Sequence, residues 1–382
     1  MMKILNVVTH LDPVTGGGCA ERTRQMSRYL AKCGERVTLL TTDLGLTESY
    51  RQGLPGVDLV VLPTLIKRFY IPFPRLNTIK QIVAEADMVH LINHWNLLNA
   101  LVYVLVKRLK KPYVFCPAGA LPISGRSMVL KVFYNFFIGR KIVQNAAALI
   151  LVTASEIPQC ERYGVGRDKI RVIPNGIDPD EAKEVEDTDF REKIGLASNP
   201  FILFMGRLNH LKGPDLLLQA FCEALDELPG CHLVFAGPDE GLRAGMEEAA
   251  ARCGAGGRVH FLGYLDNPAK LHAYHAADLV AIPSRQEAMS IVVLEAGGAG
   301  TPVLITDQCG FNEVAAINGG EVVPASAAGL KAGLLRMLQD PQKLKTQGAS
   351  LKRYVLDHFR WDIIAGKYVE LYRELLGISE AA

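Results

Sequence analysis

The 382-residue chain has no pair of cysteines spaced C-x-x-C. Its cysteines stand singly at 19, 33, 116, 160, 222, 231, 253 and 309. That scatter excludes a zinc ribbon or a thioredoxin-type redox motif and predicts reduced thiols in a cytosolic protein. No G-x-G-x-x-G fingerprint is present, which argues against a dinucleotide-dependent oxidoreductase even though Gly16-Gly17-Gly18 follow the first apolar strand and Asp43 follows the second. The best apolar run, Leu97 to Val106, is interrupted by Asn99 and ends at Lys107, so it is too short to span a bilayer. The amino terminus lacks the long apolar run and small-residue cleavage site of a signal peptide and reads as the start of a strand. Low-complexity tracts and internal repeats are also missing, which removes solenoids and disordered scaffolds.

What is present is a chain of two-domain length with ample apolar residues for sizeable cores. Short apolar strands alternate with helical stretches throughout. They fall near 3–9, 36–42, 57–62, 87–92, 112–116, 148–152 and 170–173, then near 200–205, 231–237, 258–262, 278–282 and 302–306. Alternation of this kind predicts an α/β protein with two doubly wound, Rossmann-like domains, whose strand carboxyl ends face a shared central cleft. The polar, acidic stretch 178–189 is the expected linker, dividing an amino-terminal domain (1–178) from a carboxy-terminal one (179–359). The formal net charge of +2 conceals an asymmetry: residues 1–178 carry 23 Lys and Arg against 12 Asp and Glu, and residues 179–382 carry 19 against 28. A basic half beside an acidic half fits an anionic partner for the first domain only; simple solvation of each face is the alternative.

The chemistry-bearing residues gather after two strands of the second half. Glu287 and Glu295 flank Ser290 across a strand-to-helix junction. Ser290 is the expected helix N-cap, and the open N–H groups after it, beginning with Ile291, form an anion site. Arg207 and Lys212 follow the strand 201–205 at its carboxyl end, where fixed positive charge suits an anionic ligand. The apolar neighbours of Glu295 make its helix look buried, and a buried carboxylate needs a partner.

The Glu287–Glu295 pair resembles the E-x7-E signature of the retaining glycosyltransferases of family four, which have the GT-B fold. Gly206-Arg207-Leu208-Asn209-His210-Leu211-Lys212-Gly213 is similar to that family's G-R-L-x-x-x-K-G element. Pro174-Asn175-Gly176-Ile177-Asp178 is similar to its P-N-G-I/V-D motif, and Gly16-Gly17-Gly18 to its amino-terminal glycine loop. The resemblance implies metal-independent, retaining transfer of a sugar from a nucleoside diphosphate sugar to a glycan or lipid-linked acceptor in cell-surface polysaccharide or lipopolysaccharide synthesis. It implies no cofactor, the sugar nucleotide being the substrate, and no nucleic acid as partner. Arg207, Lys212, Ser290 and Ile291 would hold the diphosphate, Glu295 the ribose, the backbone near Tyr264 the base, Gly17 and Gly18 the donor phosphate, and Glu287 the transferred sugar. In the family, the terminal helix, here 360–377, packs back on the first domain. A non-catalytic sugar-nucleotide-binding protein is a further reading.

Three places depart from the family pattern. Val89-His90-Leu91-Ile92-Asn93-His94-Trp95 stands where relatives carry H-x-H, so His90 matches the first histidine. His94 is the candidate catalytic imidazole, with a structural role as the alternative. Ala118 replaces an arginine of related P-R-G-M-L loops. Gly297-Gly298 replace residues expected to strengthen the helix end. In the first domain, 67–75 and 126–141 interleave aromatics with cations. They predict peripheral contact with an anionic membrane at its cytoplasmic face, with buried aromatics and solvated cations as the alternative.

Overall fold

The computed structural model describes all residues except 13–15, 68–70, 124–126, 183–189, 197–198 and 379–382. Much of the expected linker, part of the 67–75 segment and Arg126 therefore lie outside the described residues. The chain forms two compact units, Met1–Asn175 with Trp361–Ala382, and Gly176–Arg360.

Unit 1 contains β1 (Lys3–Val7), β2 (Arg36–Thr42), β3 (Val57–Leu62), β4 (Thr64–Ile66), β5 (Ile71–Pro72), β6 (Met88–Ile92), β7 (Tyr113–Cys116), β8 (Ala148–Leu151) and β9 (Ile170–Val172). Seven of these make one sheet in the order β3-β2-β1-β6-β7-β8-β9, with every pair parallel. The order reverses at β1/β6, the doubly wound pattern. β6, β7 and β8 are buried along their whole length, as parallel strands covered on both faces must be. β4 and β5 form a small antiparallel pair that alternation did not predict.

The helix Trp361–Leu376 belongs to this unit. It buries Trp361, Ile364, Tyr368 and Tyr372 in the core that also holds Met26, Leu30 and Ile92. Its buried hydroxyls find polar partners: Arg22 donates to Tyr368 Oη, and Tyr372 Oη lies 2.8 Å from His90 Nδ1. His90 is thus a core residue, and burial together with the Arg22 charge keeps it neutral.

Unit 2 contains β10 (Phe201–Met205), β11 (His232–Ala236), β12 (Val259–Gly263), β13 (Leu279–Ile282), β14 (Val303–Thr306) and β15 (Gly320–Val323). They form a parallel sheet in the order β12-β11-β10-β13-β14-β15, reversing at β10/β13. The short edge strand β15, opened by a glycine and interrupted by Glu321, lacks an apolar signature and was missed in the sequence.

One sequence expectation is corrected here. Cys222 and Cys253 form a disulfide with their Cα atoms 5.9 Å apart, while the other six cysteines are free. The two lie at the ends of separate helices, Pro214–Glu223 and Arg243–Arg252, so only tertiary packing brings them together. Gly297 has a packing role beside its cost in helix propensity. A Cβ there would fall 2.7 Å from Val355 Cγ2 and 3.0 Å from Leu351 Cγ, so its lack of a side chain lets the helix Pro341–His358 pack closely. Among the described residues, no helix is long and apolar enough to cross a membrane.

Candidate functional site

β10, β13 and β14 are neighbours in the unit 2 sheet, and the loops leaving their carboxyl ends carry the polar groups. The β10 loop ends at Gly213, whose backbone is left-handed at φ 68°. A Cβ there would lie 2.1 Å from the Pro283 carbonyl oxygen, so only glycine lets the β10 loop rest against the β13 loop. Arg285 fastens the same two loops. Its backbone N–H donates to the Leu211 carbonyl at 2.8 Å. Its guanidinium donates to the His210 carbonyl at 2.7 Å and grips both Asp215 oxygens at 2.8 and 2.6 Å. This is the bidentate fork that only arginine supplies. Burial pushes the Asp215 carboxyl up, but the Arg285 hydrogen bonds and charge outweigh it and hold the group below its ordinary range.

On this brace, Lys212 Nζ lies 2.9 Å from Glu287 Oε1. Glu287 also accepts from Ser284 Oγ, and its N–H donates to the Gln308 carbonyl at 2.9 Å. The nearby Cys309 thiol is buried and pushed up to about 12 by desolvation, with the Glu287 charge acting in the same direction. Arg207 Nη1 donates to Glu240 Oε1 at 2.8 Å, and Asn209 Nδ2 donates to the other Glu240 oxygen at 2.7 Å. Asn209 in turn accepts from the Lys212 N–H at 3.0 Å. Glu240, which the sequence did not single out, therefore anchors the start of the cation-bearing loop and reaches Lys212 only through Asn209.

Ser290 precedes the helix Ile291–Ala299, as expected, but does not cap it. Its hydroxyl is buried with no hydrogen-bond partner, while its N–H donates to the Cys309 carbonyl at 3.0 Å. An orphaned buried hydroxyl carries a desolvation cost that a ligand oxygen would remove. The first N–H groups of the helix have no intrahelical acceptor and present a partial positive charge.

Glu295, on the same helix, already has its partners: Lys270 Nζ at 2.7 Å and Tyr274 Oη at 2.5 Å. Lys270 and Tyr274 are one turn apart on the helix Asn267–Ala276. That spacing puts them on one face and was the sequence signal that could have found them. Tyr264, just after β12, is half exposed.

In unit 1, Gly17 and Gly18 open the first long helix, Gly17–Lys32. His94 is fully buried. Its Nε2 lies 3.0 Å from Asn135 Oδ1, and its ring is packed edge-on against Trp95, Phe115, Tyr134 and Tyr163. Burial lowers it to about 4, only partly opposed by the Asn135 bond. Direct contact of this neutral, enclosed imidazole with a sugar would require the packing to open. Ala118 adopts φ 48°, and the N–H of Gly119 beside it donates to Glu156 at 2.7 Å, so this loop is shaped by a buried carboxylate.

A family model described as glycosyl transferases group 1 matches residues 186–353, and one described as glycosyltransferase family 4 matches residues 16–181. Over 228 residues the chain is 33% identical to an uncharacterized glycosyltransferase of Methanocaldococcus jannaschii, a match covering 57% of this chain and 58% of that protein. Over 265 residues it is 32% identical to a D-inositol 3-phosphate glycosyltransferase of Corynebacterium urealyticum, covering 63% and 60%. The chain thus spans no more than 60% of the length of these curated relatives. Among solved structures, HepE of Anabaena in complex with UDP and glucose is similar with a TM-score of 0.81 at 19% identity, covering 98% of this chain and 100% of that one. Sucrose-phosphate synthase of Thermosynechococcus elongatus gives 0.80 at 23%, covering 99% and 100%. Such identities speak to the fold, and the two family models, one on each half, speak to descent. The chain belongs to the family-four glycosyltransferases and has their GT-B fold.

Proposed function

We propose that this protein transfers a sugar from a nucleoside diphosphate sugar to a glycan or lipid-linked acceptor, with retention at the anomeric carbon and without a metal ion. The setting we propose is cell-surface polysaccharide synthesis at the cytoplasmic face of the membrane. The observation that carries the reading is the Lys212–Glu287 pair at 2.9 Å beside the orphaned Ser290 hydroxyl. A cation held by a carboxylate next to an unsatisfied hydroxyl and a helix N-terminus is a site prepared for phosphate.

In this reading Arg207, Lys212, Ser290 and the Ile291 N–H take the diphosphate, and the growing charge on it is met by side-chain cations and peptide dipoles. Glu295 accepts from ribose hydroxyls, and the backbone about Tyr264 meets the base. Glu287 engages the transferred sugar near its reacting carbon. The acceptor proton goes to the departing phosphate, which gives a same-face exchange without a covalent enzyme intermediate. His94 acts at a distance, by holding Asn135. Family membership leaves the oxidoreductase reading without support.

The test is thermal unfolding of the full chain with a panel of UDP-, GDP-, ADP- and dTDP-sugars, followed by product analysis of the stabilising donor. Stabilisation by one donor, and transfer that persists in chelator with the anomeric configuration retained, is the expected result. Turnover abolished by chelator and restored by magnesium, or an inverted product, would overturn the proposal.

A further inference from the structure

The two helices joined by the Cys222–Cys253 disulfide differ in how firmly they are held. The helix Pro214–Glu223 buries Pro214, Leu217, Leu218, Ala220 and Phe221, whereas Arg243–Arg252 buries only Met246 and Ala250. Gly245 lies inside the second helix, with no side chain to pack and a cost in helix propensity. Cys253 is the C-cap of this helix, so its bond to Cys222 cross-links a weakly packed element to a well-packed one. Both cysteines are half-buried, and Glu223, Arg252 and Gly254 beside them are exposed, which leaves the bond at the surface.

The same two helices begin where the cation-bearing loop is anchored. Residues 206–213 lead from β10 into the first helix, and 237–242 lead from β11 into the second. The two loops are laced together. The Leu208 N–H donates to the Pro238 carbonyl at 2.9 Å, and the Glu240 N–H donates to the Leu208 carbonyl at 3.2 Å. A Cβ on Gly237 would lie 1.9 Å from the Gly206 carbonyl oxygen, so the two backbones touch there. The Glu240 carboxylate takes Arg207 and Asn209. Asp239, next to it, accepts from the N–H groups of Gly241, Leu242 and Arg243 at 2.8, 2.9 and 3.1 Å, which ties Glu240 to the opening turn of the second helix. Two strand-loop-helix units are thus fastened at one end by polar contacts about Glu240 and at the other by sulfur.

We propose that the Cys222–Cys253 disulfide is a redox-governed clamp on the loop that carries Arg207 and Lys212. Closed, it holds the helix Arg243–Arg252 in place and, through it, Glu240 against Arg207. A dithiol reductant opens it. One reductant thiolate attacks a cysteine sulfur, the S–S bond breaks and a mixed disulfide forms; the second reductant thiol then displaces the protein sulfur. Two electrons and two protons pass to the protein, leaving two cysteine thiols and the reductant as its own disulfide. Once released, the weakly packed helix opens locally, and the cation-bearing loop loses its fixed anchor. That the loop then holds a diphosphate less tightly rests on the transfer reading given above; the clamp itself does not. In the reducing compartment of that reading, a surface disulfide belongs with transient, redox-sensing bonds and not with permanent staples.

The experiment compares the full chain oxidised with diamide and reduced with dithiothreitol, each state assigned by alkylation and mass spectrometry. Amide hydrogen exchange is followed in both, and inorganic pyrophosphate is titrated calorimetrically as a probe that needs no choice of base. Reduction should speed exchange about tenfold over 239–252 and about threefold over 206–213. It should weaken pyrophosphate binding about fivefold. Cys222→Ser should behave as the reduced protein under both conditions. Cys33→Ser, which removes an exposed free thiol, should respond as wild type does. The proposal is overturned if alkylation finds Cys222 and Cys253 both free after oxidation, or if pyrophosphate binds the two states equally tightly. It is equally overturned if exchange over 206–213 is the same in both states, which would make the bond a local staple. Unequal exchange over 206–213 with pyrophosphate bound in neither state would uphold the clamp and count against the donor reading.

Discussion

The ammonium of Lys212, on the loop leaving β10, is held 2.9 Å from the carboxylate of Glu287, on the loop leaving β13. Both side chains are largely withdrawn from water, Glu287 the more so. The carboxylate therefore gives the cation a counter-charge, and in the proposed reading an arriving phosphate replaces one anion by another without first desolvating a bare ammonium.

Glu287→Gln keeps a group able to bond Ser284 but removes the charge. On the proposed role of the group at the reacting sugar, its kcat should fall by about 100-fold while nucleotide affinity stays within about threefold. Lys212→Ala should do the reverse and weaken nucleotide binding by about 100-fold, the loss of one charge-assisted phosphate contact. Steady-state kinetics and calorimetric titration with nucleotide separate the two. Unchanged turnover in Glu287→Gln would remove the residue from the chemistry.

Glu295→Ala leaves Lys270 and Tyr274 without their shared acceptor. The free protein should lose about 1–3 kcal/mol, the worth of hydrogen bonds to a charged group that is largely withdrawn from water. On the proposed ribose role, the stabilisation produced by the donor should also shrink. Thermal unfolding with and without donor measures both, and an undiminished donor shift would exclude the ribose role.

Arg285→Lys preserves charge but not the fork on Asp215. Looser attachment of the β10 loop should cost about 1–2 kcal/mol and raise the donor KM. Amide hydrogen exchange should accelerate at Leu211–Gly213. Exchange identical to wild type would show that Gly213 packing alone fixes the loop.

His94 is lowered by burial from 6.5 to about 4, so the folded state disfavours its proton. The sign follows: its contribution is complete above pH 6.5 and disappears as pH falls toward 4, over which unit 1 should lose about 3 kcal/mol. The stability advantage of wild type over His94→Asn should shrink by that amount between pH 7 and pH 4. Both tryptophans, Trp95 and Trp361, lie in unit 1, so urea unfolding followed by their fluorescence reads it directly. An advantage independent of pH would show that the ring titrates normally.

The doubly wound sheets were legible because buried parallel strands are short and nearly all apolar, as β6, β7, β8, β13 and β14 are. The edge strand β15 escaped because an edge buries less and tolerates Gly320 and Glu321. Alternation also placed Arg207, Lys212 and Glu287 in loops after strand ends, Ser290 at a helix start and Glu295 inside that helix, since the β/α pattern fixes where such loops must lie.

What the linear chain determined is local: which segments are strands, which loops carry charge, and where a helix opens. Tertiary structure decided every partner. It paired Lys212 with Glu287, Arg207 with Glu240, and Glu295 with Lys270 and Tyr274. It left the Ser290 hydroxyl orphaned where the sequence predicted a cap, enclosed His94 among four aromatic rings, and joined Cys222 to Cys253. The reason is physical. Periodicity records burial along one element, whereas a hydrogen bond or an ion pair depends on two elements whose separation in the sequence carries no information about their distance in space.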